Sequence, residues 1–171
     1  MSKSLLNKQD ETGEASSPFI ADEKAFLKTA PKVLDSKEGV SLYLDKGTTL
    51  AKAAYKQLGI ELDETTVLLS FAFVWQEKII GVVSWTDYRA NHDMWWTIVT
   101  TNKHWCTKKV LDYLFKTAKK YFHCDRINAL TRTDNLPAVC LLKRLGFEQE
   151  GRLKGFYPVF KTDAYVWAKF L

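Results

Sequence analysis

Residues 135–153 read NLPAVCLLKRLGFEQEGRL, and they carry the strongest structural signal in the chain. Asn135, or Asp134 just before it, can cap a helix N-terminus, and Pro137 suits the first helical turn. Apolar residues then recur at helical spacing as far as Gly146, a residue type that ends helices in the left-handed conformation. Phe147 opens an extended segment directly after it. The stretch therefore predicts a helix that ends at Gly146 and leads straight into a strand.

The rest of the chain alternates between strand-like and helix-like patterns. Apolar residues recur at helical spacing in two further segments, and runs rich in β-branched and aromatic residues predict the strands. The polar pair Gln76-Glu77 separates two such runs and predicts an antiparallel hairpin. This order predicts an α/β (α+β) protein with a mixed, mostly antiparallel central sheet and helices on both faces. The predicted helices are 48–58, 108–122 and 135–145, and the predicted strands are 65–75, 78–88, 94–101, 126–132, 147–157 and 163–171.

Size and composition narrow the class of protein. A length of 171 residues with 46% hydrophobic residues predicts one packed domain, residues 21–171, after a flexible polar leader, residues 1–20. No apolar run is long enough to span a bilayer or to form a signal peptide, so neither a membrane partner nor secretion is expected. The three widely spaced cysteines favour reduced thiols and a cytoplasmic location. The spacing of cysteine and histidine residues predicts no metal site.

The net charge of +5 favours an anionic partner, which the charge alone does not identify. A phosphorylated cofactor, an acidic substrate and nucleic acid are all compatible with it. The lysine-rich helix at 108–122 carries no interleaved aromatic platform, so nucleic acid is not the expected partner.

The pattern Asn135-x-x-Ala138-x-x-x-Leu142-x-x-x-Gly146-Phe147-x-x-Glu150-Gly151 resembles the C-terminal half of the GNAT superfamily of N-acetyltransferases. In particular, it resembles the branch that includes ribosomal-protein N-terminal and related acetyltransferases. The resemblance implies the GNAT-like acyl-CoA N-acyltransferase fold. It also implies acetyl-CoA as co-substrate and acetyl transfer to a primary amine of a protein or a small molecule.

In that family, acetyl-CoA lies in a split between two core strands, here 94–101 and 126–132, and its pyrophosphate meets a loop of pattern R/Q-x-x-G-x-G/A. Trp105 and Thr107 occupy the two glycine positions of that loop. Trp105 is expected to fill part of the space of the anion, and Thr107 to cap the helix that follows. The resemblance implies these residues at the cofactor: Val99, Thr100, Asn102, Lys103, Trp105, Cys106, Thr107, Lys108, Lys109 and Asn135.

A tyrosine that protonates the departing thiolate in many members of the family is replaced here by Leu142. Acid–base help then has to come from other residues near the expected cleft. The candidate proton carriers are Asp87, Tyr88, His92, Asp93 and Cys140.

The filled loop and the missing acid also support an alternative hypothesis from another class. On that hypothesis the chain is a catalytically degenerate binding or structural protein with the same fold, engaging an unknown protein partner. The Trp105-Cys106-Thr107 junction is similar to that of short acetyltransferase-like proteins of tailed bacteriophages. A phage origin would imply the host cytoplasm.

Overall fold

The computed structural model describes residues 17–37 and 39–171, which form helices packed on a single sheet. The helices in this part of the chain are α1 (Glu23–Thr29), α2 (Thr49–Leu58), α3 (Lys108–Tyr121) and α4 (Leu136–Arg144). The strands are β1 (Lys32–Leu34), β2 (Ser41–Asp45), β3 (Val67–Trp75), β4 (Lys78–Arg89), β5 (Asp93–Thr100), β6 (Arg126–Arg132), β7 (Glu148–Tyr157) and β8 (Thr162–Phe170). Short 3₁₀ turns lie at Glu64–Thr66 and Lys103–Trp105. None of these helices is long and apolar enough to cross a membrane.

The strands form one sheet in the order β1-β2-β3-β4-β5-β6-β8-β7. Only β5 and β6 pair in parallel, and every other neighbouring pair is antiparallel. Apolar residues of α1 and α2 pack on one face of the sheet, and those of α3 and α4 pack on the other. The prediction of a mixed, mostly antiparallel sheet covered on both faces is therefore confirmed.

The helix ends follow the local signals in the sequence. Thr107 accepts a hydrogen bond from the Val110 N–H and caps α3, and Asn135 caps α4 in the same way. Gly59 and Gly146 adopt the left-handed conformation after α2 and α4. In the hairpin between β3 and β4, the two turn residues also have positive φ angles, as a tight hairpin turn requires. These elements agree with the predicted ones.

Three short elements were not predicted: α1, β1 and β2. They are three to seven residues long, too short for a periodic pattern to stand out. The predicted leader, residues 1–20, lies outside the described residues except for residues 17–20. Within those four, Phe19 is 2% exposed and packs with Leu50 and Ala54 of α2. The packed domain therefore includes Phe19, which lies before the predicted boundary at residue 21.

The end of α2 packs against the turn between β7 and β8 at Gly59, and replacing this glycine tests that contact. A Cβ atom added at Gly59 would lie 2.6 Å from Val159 Cγ2, and the φ angle there is 64°. Gly155 has a similar φ of 61° but no atom within 4 Å of an added Cβ, so it is a matched control. We expect Gly155→Ala to lower the free energy of unfolding by about 1 kcal/mol. Gly59→Ala should lower it by about 2–3 kcal/mol, because the clash adds to the backbone strain.

Urea denaturation of the two variants beside the parent protein measures this difference. Equal losses of stability would show that the β7–β8 turn does not rest on α2.

Candidate functional site

Strands β5 and β6 pair for only part of their length and then diverge. Their parallel register begins at Asp93↔Arg126 and ends at Trp96↔Ala129. Beyond that point, β5 continues beside β4 as far as Thr100, and β6 continues beside β8. The two strands thus border an open split in the middle of the sheet, as the resemblance implied.

The hydrogen bonding of β5 determines which of its backbone groups face the split. Thr101 N–H donates to the Ile80 carbonyl at 2.9 Å, and the register between β4 and β5 runs without a shift from Thr100 to Trp95. Successive residues of a strand direct their N–H and C=O groups to opposite sides. Val99 therefore bonds to β4, whereas Ile98 and Thr100 turn their backbone groups toward the split. Of Val99 and Thr100, which the resemblance places at the cofactor, only Thr100 directs its N–H group toward the split.

The loop between β5 and α3 closes on itself. The Asn102 side chain accepts from His104 N–H at 2.9 Å, Cys106 N–H donates to the Lys103 carbonyl at 3.3 Å, and Thr107 N–H donates to the Trp105 carbonyl at 3.0 Å. These amides are therefore not available to cradle an anion in this conformation. The loop that the resemblance places at the pyrophosphate is therefore closed, because the 3₁₀ turn uses these donors itself.

Trp105 belongs to the hydrophobic core. Its side chain is 6% exposed and stacks on Phe73 of β3, with the ring centroids 5.0 Å apart. It does not line the cleft between the strands. The indole therefore packs against β3, and the expectation that it fills part of the space of the anion stays a prediction. The neighbouring Cys106 is half-buried, and burial raises the pKa of its thiol, which keeps it protonated.

The N-terminus of α3 is the remaining place for an anion at this end of the split. The N–H groups of the first turn of a helix have no intrahelical partners, and the helix dipole favours negative charge there. Lys103 and Lys108 are exposed beside it, while the Lys109 ammonium group donates to the Asp35 carbonyl at 2.6 Å. The open strand edge and this basic helix end fit an elongated ligand with an anionic tail, such as coenzyme A.

A cleft of about 460 Å³ lies against the split on the face of the sheet that α2 covers. Three hydroxyl groups are linked beside it: Thr97 donates to the Tyr55 hydroxyl at 3.2 Å, and the Tyr55 and Thr86 hydroxyls are 3.5 Å apart. Tyr157 also lines the cleft, and burial raises its pKa to about 12. The sequence analysis did not identify Tyr55, Thr97 or Tyr157, since they lie on separate elements and share no local pattern.

Four of the five predicted proton carriers border one shallow depression, and Cys140 lies elsewhere. Tyr88 donates its hydroxyl hydrogen to the Phe122 carbonyl at 2.9 Å, which is a structural contact. Cys140 is exposed on α4 and does not line the cleft. Asp87 is exposed at the cleft rim, whereas His92 and Asp93 line a separate, shallower depression of about 560 Å³ that Asp87 and Tyr88 also border.

Asp93 is buried in a polar network. Arg89 donates two hydrogen bonds of 2.6 Å to its carboxylate, and the Asn128 amide donates a third of 2.8 Å. The Arg89 guanidinium lowers the pKa of this carboxyl, with help from Asn128. An ionised carboxylate engaged on both oxygens is a weak base, so Asp93 is poorly suited to take up a proton. Its hydrogen bond from Asn128 instead holds the paired ends of β5 and β6 together.

Asn135 is the N-cap of α4, and Leu142 lies inside that helix. The Asn135 side-chain oxygen accepts a hydrogen bond from the Ala138 N–H, and Asn135 borders the cleft. Leu142, at the position of the family's tyrosine, is 9% exposed and packs in the core beneath α4. Neither residue can donate a proton to a leaving group from its side chain.

Residues 48–164 match a family model described as an acetyltransferase (GNAT) domain. No curated protein sequence matches the chain significantly.

Solved structures share the fold at low sequence identity. Arabidopsis thaliana NAA60 in complex with a bisubstrate analogue is 18% identical, with a TM-score of 0.57 over 75% of this chain and 97% of that one. The spermidine/spermine N-acetyltransferase SpeG of Vibrio cholerae is 16% identical, with a TM-score of 0.53 over 68% and 72% of the two chains. An IAA acetyltransferase from Bacillus cereus is 18% identical, with a TM-score of 0.52 over 63% and 79%.

Proposed function

Because the chain belongs to the acetyltransferase (GNAT) family, we propose that it is an acetyl-CoA-dependent N-acetyltransferase that acts on a primary amine of a protein or a small molecule. The proposal rests on the split between β5 and β6. The pairing of these two strands ends at Trp96, which leaves a strand edge open in the middle of the sheet. Such an edge is a row of backbone donors and acceptors that can pair with an extended ligand.

The chain offers two kinds of contact to the donor. The backbone groups of Ile98 and Thr100 face the split and can pair with the amides of a pantetheine arm. The first turn of α3, with Lys103 and Lys108 beside it, can hold phosphate groups at the mouth. When bound, acetyl-CoA supplies the activated acetyl group.

The cleft on the α2 side is suited to the amine. In the transfer, a nitrogen–carbon bond forms as the carbon–sulfur bond breaks, and the proton lost by the amine has to reach the departing sulfur. The linked hydroxyls of Thr97, Tyr55 and Thr86 offer a path for that proton next to the split. Hydroxyl-mediated proton transfer is worth about 10²–10⁴ in rate when the groups are well placed. This path would take the role that Leu142 cannot perform.

Neighbouring structures support an amine as the acceptor. The Vibrio cholerae protein is named for spermidine and spermine, and a structure from Brucella melitensis is named for the alanine of a ribosomal protein. A cytoplasmic location and a bacteriophage origin, both suggested by the sequence, remain part of this proposal.

Calorimetric titration with coenzyme A, followed by an assay of thiol release from acetyl-CoA with added amines, tests the proposal. We expect saturable binding and amine-dependent thiol release. Replacing Lys103 and Lys108 together with glutamine should weaken coenzyme A binding about fivefold, because exposed ion pairs contribute up to about 1 kcal/mol. Lys116→Gln with Lys120→Gln makes the same change of charge on α3, away from its N-terminus, and should leave binding unaltered.

The closed loop favours the second candidate function, a binding or structural protein without transferase activity, because its amides are already used. Absence of both coenzyme A binding and thiol release would reject the transferase and leave that candidate.

A further inference from the structure

The cleft on the α2 side has a charge opposite to that of the whole protein. The chain carries a net charge of +5, yet Glu61 and Asp87 border the cleft without an ion pair or hydrogen bond to any described residue. The one basic side chain among the lining residues is Arg132, and Asp134 already engages it with hydrogen bonds of 2.9 and 3.2 Å. The uncompensated charge at the cleft is therefore negative, which favours a cationic ligand.

Tyr157 places an unpartnered polar group in the same cleft. Its side chain is 3% exposed, and its hydroxyl has no hydrogen-bond partner among the described residues. The hydroxyl is not enclosed by protein atoms either, so it opens to the cleft that the residue lines. A hydroxyl that opens to a cleft without a protein partner is available to a ligand or to water. Its oxygen can accept a hydrogen bond from an amine.

Asp87 is directed to the rim by an irregularity in β4. The pairing with β5 shifts register between Thr86 and Arg89, and Asp87 has a positive φ of 50°. Bulges of this kind redirect a side chain out of the regular alternation of a strand. Asp87, like Trp95, therefore borders both the cleft and the neighbouring depression.

The volume and the lining of the cleft suit a small ligand with apolar parts. Its walls include aromatic and aliphatic side chains, among them Trp95, Leu130 and Phe156. A volume of about 460 Å³ suits a small molecule with a methylene chain better than a folded partner.

We propose that the acceptor is an aliphatic diamine or polyamine, an inference that rests on the proposed acetyl transfer. Its reacting amine contacts the Tyr157 hydroxyl, its methylene chain lies along the apolar walls, and its second ammonium group pairs with Asp87 and Glu61 at the rim. A monoamine would leave both carboxylates unused, and an anionic acceptor would be repelled by them.

The test compares the binding of diaminobutane with that of butylamine, which has the same chain length but no second charge. Calorimetric titrations of the full chain, with and without coenzyme A, measure both affinities independently of acetyl transfer. We expect diaminobutane to bind about tenfold more tightly than butylamine, since two partly exposed ion pairs together are worth about 1.4 kcal/mol. The preference should shrink at high salt, because exposed charges are screened.

Single substitutions assign the contributions. Asp87→Asn and Glu61→Gln should each weaken diaminobutane binding about threefold to fivefold and leave butylamine binding unchanged. Asparagine tolerates the positive φ at position 87, so this variant should keep the fold. Tyr157→Phe should weaken both amines alike, because it acts on the group they share. Asp112→Asn, an exposed change of the same charge on α3, is the matched control and should have no effect.

The outcomes separate this subsite from the proposed function. Equal affinities for the two amines, equal effects of Asp87→Asn on both, or no binding of either amine would overturn the subsite. Acetyl transfer to butylamine as fast as to diaminobutane would overturn it while the transferase stands. Selective diaminobutane binding without any thiol release would preserve the subsite and reject the transferase.

Discussion

Replacing Trp105 with glycine is expected to destabilise the fold by about 4 kcal/mol instead of opening a site for a phosphate. The family's loop has glycine at this position, so its restoration could be thought to improve cofactor binding. The Trp105 ring, however, stacks on Phe73 and is 6% exposed. Removing it leaves a cavity in the core, and single domains typically have only about 5–15 kcal/mol of stability in total.

Urea denaturation followed by circular dichroism measures this loss. Lys103→Gly is the matched control, because Lys103 lies in the same 3₁₀ turn but is exposed. It should cost about 1 kcal/mol or less, the usual effect of added backbone freedom. An unchanged stability in Trp105→Gly, together with tighter coenzyme A binding, would contradict the assignment of this ring to the core.

Thr100→Pro is expected to weaken coenzyme A binding about 100-fold while the protein stays folded. The Thr100 N–H faces the split and takes no part in the pairing with β4. Proline is tolerated in a strand where its missing N–H is not needed by the ladder. Its ring would remove a donor and occupy the place of the ligand, a combined loss of about 2.7 kcal/mol.

Val99→Pro, one residue earlier, is the control for this prediction. The Val99 N–H bonds to β4, so proline there should destabilise the protein by about 3 kcal/mol or more. Calorimetric titration and urea denaturation of both variants separate the two effects. Loss of stability in Thr100→Pro with retained stability in Val99→Pro would show that the backbone groups of β5 face the other way.

Local signals were sufficient for most of the fold. Gly59 and Gly146 mark helix ends because few other residues adopt a left-handed conformation without strain, and Thr107 and Asn135 cap helices through hydrogen bonds spanning three residues. Hydrophobic periodicity identified α2, α3 and α4 because each buries one face against the sheet. The short elements α1, β1 and β2 lack enough residues to show such a pattern.

The candidate site was predictable only in outline. The resemblance located the split between β5 and β6 and the basic start of α3. It did not reveal that the Asn102 side chain and the carbonyls of Lys103 and Trp105 accept hydrogen bonds from the N–H groups of the loop itself. Among the proposed proton carriers, Asp93 forms a bidentate ion pair with Arg89, a residue four positions away in the sequence. The geometry of this pair depends on the irregular end of β4.

The amino-acid order alone thus establishes the three longer helices, most strands, the fold class and the family, because capping, turn geometry and periodicity act between residues that are near neighbours in the chain. Tertiary contacts establish the rest: that Trp105 packs on Phe73, that Thr100 and not Val99 faces the split, and that Tyr55, Thr97 and Tyr157 meet Asp87 at one cleft. These features depend on strand register and on which faces of the sheet the helices cover. Such long-range pairings follow from the packing of the whole chain and leave no signature in any short segment.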